Sequence, residues 1–209
     1  MDGQRRRLLV TAGTAGLLTL AGPATANLLT PRQSAGPFYP DEPLLDDDSD
    51  LVHVAGRDDV ASGEITDLRG RLLDLNGRPL QGTRIEIWQC DANGRYRHSR
   101  DPGQRAVDPA FQGLGHSVSD AEGHYRFLTI RPVPYPGRTP HIHVAVYPAG
   151  DKPFVTQLYV AGEPRNDGDF LYRRIPSDRR HLVTADFVAT EQGRLRADWD
   201  LFLGVSPAA

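Results

Sequence analysis

The sequence predicts an all-β protein, a β-sandwich of mostly antiparallel strands joined by long irregular loops. Two observations predict it. From residue 66 onward, short runs of alternating or β-branched residues are closed by turn signals such as Asn76-Gly77, Asn93-Gly94 and Glu122-Gly123. No long stretch shows the 3.6-residue period of an amphipathic helix, and 21 Gly and 17 Pro in 209 residues suit a chain that turns often.

The strands follow in order. Residues 71–73 run into Asn76-Gly77-Arg78-Pro79, and 84–88 into Asp91-Ala92-Asn93-Gly94. Residues 124–127 follow Asp120-Ala121-Glu122-Gly123, and further strands are expected at 141–147, 156–160, 182–188 and 194–201. The long interval 100–115 carries Asp101-Pro102-Gly103 and Asp108-Pro109 and reads as a loop that walls a cavity.

Ahead of the sandwich, residues 1–26 read as an export signal. Arg5, Arg6 and Arg7 form a charged start, residues 8–20 an apolar run, and Ala24-Thr25-Ala26 a cleavage site. The run is too short and too rich in Gly and Thr for a stable membrane span. Gln4-Arg5-Arg6-Arg7-Leu8-Leu9-Val10 resembles a twin-arginine signal, so the protein is expected to be exported to a periplasmic or extracellular location. Residues 27–60, proline-rich and acidic, are expected to form an irregular arm, and 61–209 the sandwich domain. Within the arm, Asp46-Asp47-Asp48-Ser49-Asp50 lacks calcium-loop spacing and reads as a solvated turn.

Without residues 1–26 the chain keeps 21 basic and 26 acidic side chains, a formal charge of -5. With no basic patch interleaved with aromatics, nothing argues for nucleic acid. The single cysteine, Cys90, rules out a disulfide framework and reads as a small packing residue.

The chemistry sits in Arg138-Thr139-Pro140-His141-Ile142-His143. On a strand, residues i and i+2 share a face, so both imidazoles reach one metal ion. Two such histidines alone are more often packing residues. Tyr135, in the proline-stiffened loop before them, and Tyr96, after the strand ending at Trp88, change the balance, although each tyrosine alone reads as a half-buried sheet-edge aromatic. Phenolate is a hard anionic ligand with a free pKa of about 10. Holding two of them deprotonated near neutrality takes a strong Lewis acid, and ferric iron suits this better than zinc, calcium or magnesium. Two tyrosinates and a hydroxide also cancel its three charges, which makes burial tolerable.

These residues resemble the intradiol ring-cleavage dioxygenases, the family of catechol 1,2-dioxygenase and protocatechuate 3,4-dioxygenase, and most of all the iron-binding β subunit of the latter. The resemblance rests on Ser34-Ala35-Gly36-Pro37-Phe38-Tyr39-Pro40, the stretch from Ile87 to His98, Tyr135-Pro136, Arg138 to His143, and Thr156-Gln157-Leu158-Tyr159, spanning residue 34 to about 175. It implies Fe(3+) held by Tyr96, Tyr135, His141 and His143, with Arg138 and Gln157 beside the substrate. It implies an aromatic diol and O2 as reactants, giving a cis,cis-muconate-type diacid. In the family the tyrosinate equivalent to Tyr135 is displaced by substrate and takes its proton.

Departures are the short interval from Tyr135 to His141 and Gly137, where the protocatechuate enzymes carry a tryptophan. Because that loop holds no cation besides Arg138, carboxylate-free catechols are expected to be used at least as well as protocatechuate. His98 and His116 are equally readable as supporting or packing residues, and His53, His124 and His181 have no partner at ligand spacing. Two other functions compete: a non-catalytic β-sandwich binding or structural subunit, and a zinc hydrolase built on His141 and His143, for which a third ligand is missing. The composition leaves room for a homo-oligomer.

Overall fold

The computed structural model describes residues 29–42 and 45–205; the export signal expected at 1–26 lies outside the described residues. The described chain forms ten strands: β1 (Ile65–Asp74), β2 (Arg84–Trp88), β3 (Leu114–Val118), β4 (His124–Ile130), β5 (His141–Tyr147), β6 (Phe154–Val160), β7 (Thr184–Ala185), β8 (Val188–Ala189), β9 (Leu195–Asp198) and β10 (Leu201–Leu203). Three short 3-10 segments, Pro164–Gly168, Tyr172–Arg174 and Ser177–Val183, lie between β6 and β7.

Two five-stranded sheets result. In the first, β1 pairs antiparallel with β4, and its two ends pair in parallel with β9 and β10. Gly70 marks the change from β9 to β10. A Cβ there would stand 1.7 Å from the Trp199 carbonyl oxygen, so only glycine lets that backbone approach. The second sheet runs β3-β2-β5-β6-β7, antiparallel except for β6 with β7.

Alternation decides what each face does. Ile85 and Ile87 of β2, Ile142, Val144 and Val146 of β5, and Leu158 of β6 turn inward and meet Leu68, Leu72 and Phe127 of the first sheet, all fully buried. Each such side chain contributes about 1.5–3 kcal/mol through burial. The outward face of the second sheet then receives Trp88, His141, His143, Gln157 and Tyr159, the alternate members of the same strands. The arm covers it through Gln33, whose N–H donates to the Val155 carbonyl of β6 at 2.9 Å, and reaches the first sheet through Leu51, whose N–H donates to the Leu128 carbonyl of β4 at 2.8 Å. The carboxylates of the acid run cap turns, as where Asp46 accepts from Ala55 N–H at 2.6 Å.

Two strand expectations need correction. Residues 182–188 are not one strand: the 3-10 segment ends at Val183, followed by two-residue β7 and, after a break, β8. Residues 194–201 divide into β9 and the start of β10, separated at Trp199, whose N–H donates to the Arg69 carbonyl at 2.8 Å.

Candidate metal centre

The sheet register sets the first rows of the site. On β5, His143 lies between Trp88 of β2 and Gln157 of β6, and His141 lies beside Tyr159. The Trp88 ring stacks on His143 with centroids 4.9 Å apart and planes 8° from parallel, fixing the imidazole. His141 is fixed differently: its Nδ1–H donates to the Thr139 carbonyl at 2.7 Å, which leaves a bare lone pair on Nε2. The two Nε2 atoms stand 3.1 Å apart, and His143 Nδ1 has no partner among the described residues.

Tyr96 comes from the turn after β2. Asp91 Oδ1 accepts from the Asn93 and Arg95 N–H groups, and Asp101 Oδ2 accepts from Tyr96 N–H at 2.6 Å and Arg95 Nε at 3.0 Å. The loop expected to wall a cavity therefore anchors Tyr96 through Asp101. The Tyr96 ring is buried under Phe38 of the arm, centroids 5.1 Å apart, and its hydroxyl has no hydrogen-bond partner among the described residues. Tyr135 enters from the loop before β5, which turns at Gly137 with φ +82°. Ring centroids are 5.3 Å apart for Tyr96 and Tyr135, 5.4 Å for Tyr135 and His141, 6.1 Å for Tyr96 and His143, and 4.7 Å for His141 and His143.

Arg138 is held on three sides. Its guanidinium donates to Asp169 at 2.7 Å, to Gln157 Oε1 at 2.6 Å and, more loosely, to the Tyr135 hydroxyl at 3.4 Å. Burial opposes ionisation of Asp169, but hydrogen bonds from Arg138 and from the Tyr172 and Thr139 N–H groups hold its carboxyl below the ordinary range. Gln157 Nε2 donates to the Ser34 carbonyl at 2.8 Å, tying this network to the arm. An open cavity of about 380 Å³ adjoins it, lined by Tyr135, Gly137, Arg138, Arg165 and Asp169 among others.

Burial sets the charge states. It pushes His141 down to about 3, with Arg138 adding to the effect, and His143 well below its usual value, so both imidazoles are neutral. It raises the Tyr96 phenol well above its normal range, and raises Tyr135 as well, against the pull of Arg138. Two neutral nitrogen donors and two phenol oxygens thus converge in a dry site, and the Tyr96 oxygen lacks a partner among the described residues. That donor set fits a metal cation, which would satisfy the lone pairs and favour the phenolates.

Of the residues singled out in the sequence, Tyr96, Tyr135, His141, His143, Arg138 and Gln157 come together. His98 is buried against Phe38 and accepts from Arg100 N–H, whereas His116 pairs with Asp47. Asp169, Thr139, Trp88 and Tyr159 belong to the site and were not singled out. Trp88 and Tyr159 share parity with the site-facing residues of their strands, a readable signal, whereas Asp169 lies in a non-periodic segment that offers none. Among the described residues, Asp120, Glu122 and His124 also bring ligand-type atoms within 4.8 Å of one another. All three are exposed, and Asp120 Oδ1 caps the turn into β4 by accepting from Glu122 and His124 N–H.

A β-sandwich with a buried His₂Tyr₂ cluster on one outer face defines a class of metal-dependent enzyme. A sequence model of the Dioxygenase family matches residues 35–204. The protocatechuate 3,4-dioxygenase beta chain of Burkholderia cepacia is 37% identical over 185 residues, covering 82% of this chain and 78% of its own. The catechol 1,2-dioxygenase of Candida albicans is 29% identical, covering 82% of this chain and 61% of its own. Among solved structures, the dioxygenase domain of a dioxygenase carbohydrate-binding protein fusion from Streptomyces sp. SirexAA-E superposes with a TM-score of 0.67 at 29% identity, covering 85% of this chain and 99% of that one. The chain belongs to the intradiol dioxygenase family and is an oxidoreductase that uses a metal cofactor.

Membership corrects one expectation. Homologous catechol and protocatechuate dioxygenases are cytoplasmic enzymes and are not typically exported by a twin-arginine route, so the reading of this chain as an exported protein is withdrawn. Among the described residues no helix is long and apolar enough to cross a membrane.

Proposed function

We propose that Tyr96, Tyr135, His141 and His143 hold one ferric ion, and that the enzyme opens a catechol-type ring between its two hydroxylated carbons. The observation that carries this reading is the convergence of two neutral buried imidazoles with two phenols, one of them without any partner for its hydroxyl. Ferric iron supplies Lewis acidity and an electron-accepting centre that make a bound diol reactive toward O2. Both oxygen atoms enter the product, so diol and O2 balance the diacid with no external reductant.

The chain's own residues divide the remaining work. Tyr135, less buried than Tyr96 and on the cavity wall, is placed to take the proton of an arriving diol hydroxyl. Arg138 faces that oxygen and keeps its place because Asp169 and Gln157 hold it, so its charge needs no reorganisation when negative charge develops beside it. Trp88 and Thr139 orient the two imidazoles, and Phe38 with Gly36 keeps bulk water from Tyr96 and His143.

Metal analysis and oxygen uptake over a panel of catechols test this. The expected result is about one iron per chain, a reddish-brown protein, and one O2 consumed per diol with a muconate-type diacid formed. Zinc at full occupancy in protein made with adequate iron, and no gain on iron loading, would overturn it. A colourless protein that consumes no O2 would instead point to a non-catalytic subunit.

A further inference from the structure

We infer that Arg165 is a specificity residue of the cavity beside Tyr135 and Arg138, and that it selects diols bearing a carboxylate or another anionic substituent. This rests on the diol reading above. The loop from Tyr135 to His141 contains no second cation, but the fold brings one from a distant segment: Arg165, in the 3-10 segment Pro164–Gly168, lines the same cavity as Tyr135, Arg138 and Asp169. That segment is held against the site, because the Asn166 side chain accepts from Thr139 Oγ at 2.8 Å and donates to the Val160 carbonyl at 2.9 Å.

Of the two cations that line the cavity, Arg138 and Arg165, Arg165 is the one free to turn. Arg138 is committed to Asp169 and Gln157. Arg95 is committed to Asp101, and Arg97 lies 3.9 Å from Glu42. The side chain of Arg165 is 63% exposed, and its one acidic partner among the described residues, Glu163, is reached only at 3.5 Å. An exposed pair at that distance is worth little, so a ligand carboxylate offering bidentate geometry can replace it. Because Tyr135, Arg138 and Arg165 line one cavity, an anionic substituent on a diol that reaches Tyr135 through this cavity would meet Arg165.

The test compares kcat/KM for 3,4-dihydroxybenzoate and for catechol in the iron-loaded full-length enzyme and in Arg165→Gln, Arg165→Lys and Glu163→Gln. Arg165→Gln is expected to lower the ratio of carboxylate to catechol at least about threefold, through KM rather than kcat and less so as salt is added. Arg165→Lys should keep part of the ratio, and Glu163→Gln should raise it. A ratio that stays within threefold in Arg165→Gln overturns the assignment, as does an equal fall for both substrates. Anaerobic calorimetry with 3,4-dihydroxybenzoate separates this from the functional reading: if the parent enzyme oxidises neither diol, that reading falls, while equal affinity of parent and Arg165→Gln for the carboxylate still refutes the role of Arg165.

Discussion

His141 and His143 present the same nitrogen to the same point but are held by unlike means, one through a hydrogen bond to the Thr139 carbonyl and the other by the stacked face of Trp88. Neither has a neighbour that can replace its Nε2. His141→Ala and His143→Ala are therefore each expected to lose most of the bound iron, read by metal analysis. Tyr135→Phe should keep much of its iron, with slow turnover and an altered visible band, because the other three donors remain; full parental activity in that variant would contradict its role. Cys90 has no part in this chemistry, since burial, with Asp91 adding to it, pushes its thiol up to about 12. At this scale the sequence was most legible where residue type and local spacing coincide, as in His141-Ile142-His143. Asp169 was not legible, because its partner Arg138 lies 31 positions away and only the folded 3-10 segment brings them together.

β5 could be read directly, because all seven of its residues suit a strand buried on both faces and its flanking loop is marked by proline. Residues 182–188 carry similar apolar side chains, but Leu182 and Val183 are buried from the end of a 3-10 segment that follows Pro176, so apolar content without period misassigned them. On the first sheet, β1 and β4 are joined across their outer face by Asp67, which accepts from Arg126 at 2.8 and 2.9 Å and also from Arg69. Burial would raise this carboxyl, yet the two guanidinium groups outweigh it and hold the pKa at about 2. A folded-state pKa below the unfolded value of about 4 means stabilisation that is complete above that pH and lost as the pH falls toward 2. Asp67→Asn should accordingly be less stable than the parent at neutral pH, with the difference shrinking between about pH 4 and pH 2. Urea titrations across that range check it, and a constant difference at every pH would show that the pair contributes nothing through its charge.

In the whole molecule, the sandwich core and the candidate centre occupy opposite faces of one sheet, so the arm is what closes the site. Gly36, at φ +70°, lies so near His143 that a Cβ would sit 3.2 Å from its ring. Phe38 stacks on Tyr96, and Gln33 receives the Tyr159 hydroxyl at 2.6 Å while donating to the Gln157 carbonyl at 3.0 Å. The arm therefore packs on side chains whose positions the metal would fix. Binding to the folded state alone stabilises it, by about 2.7 kcal/mol when free ligand is a hundredfold above the dissociation constant. Part of that gain should be felt locally, since segments with few core contacts open at lower cost than the sheets. Iron loading is expected to raise the melting temperature and to slow proteolytic cleavage within residues 29–42 more than cleavage near β8 and β9, on the other sheet. His143→Ala, which lacks a ligand, should show neither effect. Limited proteolysis with mass-spectrometric mapping of the cut sites, with and without iron, decides it: equal protection of both regions, or protection that survives in His143→Ala, would mean that the arm is not coupled to this centre.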